Sequence, residues 1–177
     1  MLDEFEAAHA LVGGTRASRR FARQQIAQAY VVLLCSQFQK FCRELHSEAA
    51  EWITRSAAHD PVSAVLRPLL TRGRRLDNGN ASPASLGSDF GRLGIEFWIE
   101  VDSHHPRNAE RKRKLEELIG WRNAIAHQDF RNPALQGADE VQIAQVRRWR
   151  RACDVLTVEI DAVLRLYLQS LMGGPPW

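Results

Sequence analysis

Apolar residues recur along this chain three, four and seven positions apart, the spacing that lines one face of an α-helix. Tyr30, Leu34, Phe38, Phe41, Leu45 and Trp52 form the first long seam, on a helix expected to open at Arg16. Val146, Trp149, Cys153, Leu156, Ile160, Val163 and Tyr167 form the last. Asp139 and Gln142 should open that helix as a capping box, and Gly173, Gly174 and two prolines stop it. At ~1.5 Å per residue it would span on the order of 50 Å, more than a small domain's own core needs, which is one reason to expect a dimer. Between the two seams, Asp60-Pro61 is a helix-start signature ahead of Val62, Val65 and Leu66. Pro68 should kink or restart that helix before Leu69, Leu70 and Leu76. The stretch 77–94, rich in Gly, Asn, Ser and Pro, reads as a long connection with at most one helical turn near Phe90. Residues 95–101, IEFWIEV, fit strand and helix periods alike and, with no partner strand elsewhere, are expected to be helical. The pattern predicts an all-α fold, an antiparallel helical bundle of about four to five main helices.

Residues 2–12 fit a short helix presenting Leu2, Phe5 and Leu11, stopped by Gly13 and Gly14 and expected to be a mobile arm or a partner-binding piece. The 177 residues then divide into an N-terminal arm (1–15), one helical domain (16–172) and a C-terminal tail (173–177). No basic segment leads into a long apolar run, and no stretch approaches ~20 apolar residues. The expectation is a cytoplasmic protein with no membrane contact. Cys35, Cys42 and Cys153 sit inside apolar helical pattern with no metal-ligand spacing, and read as small core residues in a reducing compartment.

Residues 115–130, LEELIGWRNAIAHQDF, break the pattern at one position. At about 100° per residue, Leu115, Leu118, Ile119, Ile125 and Ala126 share one side of a helix, and Arg122 falls near the middle of that side. Asn123 and His127, four apart, share the flank beside it. Asn108 is placed to cap this helix, and Pro133 should end it between His127 and Asn132. A guanidinium buried alone costs several kcal/mol or more, so Arg122 must meet a carboxylate, carbonyls, a second subunit or an anionic ligand. The bland solution is an arginine at the core edge paired to a glutamate, with His127 an ordinary residue at a helix end.

Charge sharpens this choice only a little. The net charge is +3, and of 24 cationic residues all but three are arginine, whose planar fork suits phosphate. Arg16, Arg19, Arg20 and Arg23 crowd the first long helix's start; Arg72, Arg74 and Arg75 form a second basic cluster, and Arg111, Lys112, Arg113 and Lys114 a third. A solvated face explains each cluster, and RNA is the functional candidate, the second and third supplying its weaker contacts. His104 and His105 lack an accompanying carboxylate or cysteine motif, so no metal is assigned, and no glycine-rich phosphate loop points to a nucleotide cofactor. DNA binding is disfavoured, because neither a recognition helix with its turn nor a zinc pattern is present.

Arg122-Asn123-Ala124-Ile125-Ala126-His127 resembles the R-x(4–6)-H signature of the HEPN superfamily, small helical bundles found in many prokaryotic toxins and defence ribonucleases. The context is similar as well, a penultimate bundle helix between two long ones, and the resemblance spans roughly 16–172. It implies metal-independent RNA cleavage without a cofactor, in a homodimer whose motif helices face each other across a shared cleft. Arg122 and His127 would be catalytic and Asn123 supporting, and the products would carry 2′,3′-cyclic phosphate and 5′-hydroxyl ends. Arginine can hold two phosphoryl oxygens, and histidine changes charge near neutral pH and so can move the protons. A role in a toxin–antitoxin or phage-defence system follows, with an antitoxin or regulatory partner. Some relatives of this type carry a tyrosine two residues after the histidine, where a partner enzyme modifies them; here that position is Asp129, a plain turn residue by chemistry. Two alternatives stay open. One is a non-catalytic HEPN-like module binding RNA, a nucleotide or a protein; the other is a structural ion pair of Arg122 with Glu159 or Asp161.

Overall fold

The computed structural model describes residues 1–12, 17–57, 60–131, 133–135 and 137–177, with the side chains of residues 17, 56, 57, 60–62 and 134 outside the description. Among the described residues there are eight α-helices and no strand. They are α1 (Leu2–Leu11), α2 (Ala17–Ala57), α3 (Asp60–Thr71), α4 (Arg75–Asn78), α5 (Pro83–Gly91), α6 (Phe97–His104), α7 (Asn108–His127) and α8 (Ile143–Met172), with a 3₁₀ turn at Pro133–Leu135. The three long seams form the frame. Tyr30, Leu34 and Phe38 of α2, Leu115 and Leu118 of α7, and Trp149, Leu156 and Ile160 of α8 lie in one core, where burying a large apolar side chain is worth about 1.5–3 kcal/mol. α2 and α8 run in the same direction, Arg20 meeting Glu140 and Arg150 meeting Tyr30. α7 lies antiparallel to them, its Glu117 at Trp149 and its Asn108 at Glu159. Cys35, Cys42 and Cys153 are buried free thiols in this frame.

The stretch expected to be a long connection folds into α4 and α5 instead. Ser82 caps α5, its Oγ accepting the Ser85 N–H at 3.1 Å, and Pro83 takes the first turn. Leu86 and Phe90 are fully buried, and Phe90 stacks on Phe97 of α6 at 4.5 Å. Of residues 95–101, expected to be helical, 97–101 are, and Ile95 and Glu96 lie just ahead of α6. Gly94 must be glycine, because its φ is +90° and a Cβ there would stand 2.8 Å from the Tyr167 hydroxyl. α3 runs unbroken through Pro68 and starts at Asp60, whose capping side chain lies outside the described residues, as do Gly13, Gly14, Arg16 and Asn132. The capping box at Asp139 does not form; α8 opens at Ile143, and its N-cap Gln142 makes no side-chain bond. Asn108 is likewise no cap. It is fully buried, its amide donating to the Val101 carbonyl at 2.7 Å and to Glu159 at 3.4 Å.

Two polar clusters fasten the outer helices to the frame. Asp89 accepts the backbone N–H groups of Arg75 and Leu76, at 3.0 and 2.8 Å, and so closes the start of α4. Beside it His46 is fully buried, its Nε2 donating to the Asp89 carbonyl at 2.9 Å, which leaves Nδ1 to accept from Arg74 at 3.2 Å. At the other end α1 is seated against α2 and α8. Phe5 stacks on Tyr30, Glu6 accepts from Tyr30 and Arg147, and Asp3 accepts from Arg150 at 2.6 Å. The first helix is therefore packed against α2 and α8; the sequence suggested a mobile arm or a partner-binding piece.

Candidate active site

α7 delivers the motif at its last two turns, where its buried side rotates. Leu115, Leu118 and Ile119 face the core, but from there burial passes to Trp121 and Ala124. Arg122, Asn123 and Ile125 are consequently half-buried, and Ala126, expected on the apolar face, is exposed together with His127. The helix stops at His127 because Gln128 turns left-handed (φ 53°) and the Asp129 N–H reaches back to the Ala124 carbonyl at 2.9 Å. Asp129 itself accepts the Arg131 N–H at 3.3 Å, which is the turn role its chemistry suggests.

The Arg122 guanidinium donates to Asn123 Oδ1 at 3.3 Å, and Asn80, in the turn ahead of α5, donates to the same oxygen at 2.7 Å. Asn123 thus steadies the arginine, and its oxygen is aimed by a residue of another element. Arg122 also lies close enough to α2 for its charge to act on Cys35, whose thiol burial pushes up to about 12 against the guanidinium's opposing pull. No carboxylate pairs with Arg122 among the described residues. Glu159, one of the two partners (with Asp161) that a purely structural role would use, is held instead by His104 at 2.6 Å, Asn108 at 3.4 Å and Arg111 at 3.7 Å. Burial raises that carboxyl, but the bonds from His104 and Asn108 outweigh it and keep Glu159 below the ordinary range.

His127 makes no hydrogen bond among the described residues. Five positions separate it from Arg122, about 140° around the helix, so one α7 does not aim both groups at one point. Next to the motif, Gln25, Gln28, Ala29 and Val32 of α2 form a groove with Ile125 and Gln128, about 490 Å³ in volume. Val32 is 41% exposed in it, an apolar wall that nothing among the described residues covers fully.

The basic clusters divide. Lys112 pairs with Asp102 and lies over Trp98, Arg113 pairs with Glu117, Lys114 with Glu110, and Arg111 with Asn108 and Glu159. Arg72 and Arg75 are exposed, whereas Arg74 is only 8% exposed and is bound to Asp77, Ser47 and His46. None of these is joined to the Arg122–Asn123 pair by a described bond. His105 accepts from the Arg107 N–H, and among the described residues no three His, Cys, Asp or Glu side chains are grouped to hold a metal ion. No described helix is long and apolar enough to cross a membrane. Asn80 is the site residue the sequence did not reveal; its only signal was a D-N-G-N run that reads as turn chemistry.

Compared with known proteins, the chain is matched over residues 6–165 by the family model described as RiboL-PSP-HEPN. Neither the curated proteins nor the solved structures compared with the chain include a match. The matched span contains the motif, the Asn80 turn, all of α2 and most of α8.

Proposed function

The chain belongs to the RiboL-PSP-HEPN family, and from that premise we propose that it is a metal-independent endoribonuclease acting as a homodimer. The observation that carries this reading is the half-buried Arg122, steadied by Asn123 and Asn80 and lacking a carboxylate among the described residues. A phosphate is the counter-charge such a site lacks. In the reaction the 2′-oxygen attacks the adjacent phosphorus and its proton passes to an imidazole. The P–O5′ bond breaks, a proton is returned to the departing 5′-oxygen, and a 2′,3′-cyclic phosphate remains. Arg122 counters the charge that builds on the phosphoryl oxygens, and His127 moves the protons.

Because Arg122 and His127 diverge around α7, the complete set is assembled from two chains, the groove beside Val32 and Ile125 receiving the second copy. Like charges then meet across the empty cleft, and a bound phosphate relieves them. The activity suits a toxin or defence effector, restrained by an antitoxin or another regulatory partner. The deciding experiment incubates purified protein with end-labelled RNA in EDTA. Cyclic-phosphate ends that vanish in His127→Ala support the reading; RNA that is retarded but uncut makes the chain a non-catalytic RNA-binding module.

A further inference from the structure

A second cleft lies between α7 and α8. Arg113, Glu117 and Trp121 stand four apart and form one row of α7; Gln145, Arg148 and Trp149 face them from α8, and the cleft between is about 400 Å³. Its floor is apolar, with Trp121, Leu135 and Val141 all under a tenth exposed. Across it runs a fixed polar row. Arg148 donates to Gln145, Gln145 and the Trp149 indole each donate to Glu117 Oε2 at 3.2 Å, and Arg113 donates to Glu117 Oε1 at 2.5 Å. Glu117 Oε1 accepts one described bond and keeps acceptor capacity, and the side chain remains 28% exposed. Arg113 and Arg148 are exposed at the mouth. Glu140, also at the rim, is paired with Arg20 at 2.7 Å.

An apolar slot with a carboxylate at the back and guanidinium groups at the rim fits a flat heterocycle with donors on one edge and acceptors on another. Among the RNA bases guanine offers both. Its N2–H₂ donor suits the acceptor capacity that Glu117 Oε1 keeps, and its O6 and N7 acceptors match an arginine fork. The connection that leaves His127 closes the end of this cleft, and Trp121 is about 9 Å along the helix from His127, within reach of a neighbouring nucleotide. We propose that the cleft between α7 and α8 is a guanine-recognition subsite that chooses where the RNA strand is cut, with Glu117 and Arg148 as its specificity-determining residues. This rests on the ribonuclease reading of Arg122 and His127, which a separate measurement tests.

Binding is followed by tryptophan fluorescence of the full chain carrying His127→Ala, since Trp121 lines the cleft. Guanosine 5′-monophosphate should bind at least tenfold more tightly than the adenosine and uridine monophosphates, and ribose 5-phosphate should not compete. Glu117→Gln and, separately, the surface change Arg148→Glu should each weaken it at least tenfold; the latter covers the case in which losing the Glu117 bonds perturbs packing. In parallel, wild type is given RNAs with a single guanosine, a single inosine lacking the N2 amino group, or neither, and cleavage should follow that order. Equal binding of all monophosphates and ribose 5-phosphate overturns base recognition, as does cleavage that ignores guanosine. Guanosine monophosphate bound selectively by a protein that cuts no RNA upholds the subsite and removes the nuclease reading.

Discussion

At the scale of single residues, the site turns on a guanidinium steadied by an amide. Arg122→Ala should lower RNA cleavage by about 10²–10³-fold, the usual cost of one donor to a developing oxyanion. The melting temperature should stay within a few degrees, because no described ion pair is lost. Arg122→Lys should not restore the rate, since an ammonium cannot span two phosphoryl oxygens. Asn80→Ala, assayed by single-turnover cleavage, should cost roughly tenfold by freeing the Asn123 oxygen, on the scale of one neutral hydrogen bond. The sequence made Arg122 visible because a charge stood on an apolar stripe. Asn80 stayed hidden because its bond joins positions 43 apart through a turn, where no periodicity operates.

At the scale of elements, the seams of α2, α7 and α8 were legible because each repeats its apolar residues at helical spacing over several turns. α4 and α5 were not, since glycine and serine mask a segment whose helicity comes from burying Leu86 and Phe90 and from the Ser82 cap. Nor was the docking of α1, which depends on Asp3 and Glu6 finding arginines some 140 positions away. The joint between α2, α4 and α5 should be acid-sensitive. Burial, with help from the Arg74 charge, lowers His46 from 6.5 to about 4. Between those values the unfolded chain takes up a proton that the folded chain refuses, so stability rises with pH and falls by a few kcal/mol as pH drops through that window. Melting curves at pH 7.5 and pH 5 should show the loss, and His46→Gln should flatten it while lowering stability at both. Asp89→Ala, which orphans the buried Leu76 N–H and the half-buried Arg75 N–H, should destabilise by about 1–3 kcal/mol in urea titrations.

At the scale of the whole molecule, the divergence of Arg122 and His127 around α7 makes a prediction no single chain can meet. Mixed after brief unfolding, Arg122→Ala and His127→Ala proteins should regain about a quarter of wild-type cleavage, because half the random dimers then hold one intact site of two. Two inactive parents that stay inactive when mixed would place the site within one chain. Val32→Glu should give a monomer by light scattering and abolish cleavage with the helix content unchanged. The order of the elements carries one more consequence. α2 is made early, yet much of the surface that covers its seam arrives with α7 and α8, and Asp3 and Glu6 of α1 find their arginines only on α8. During synthesis a long apolar ridge therefore waits for the last third of the chain. Truncation ahead of residue 143 should leave an aggregating fragment, and under the proposed function that fragment should cut no RNA, so that activity waits until α8 has emerged.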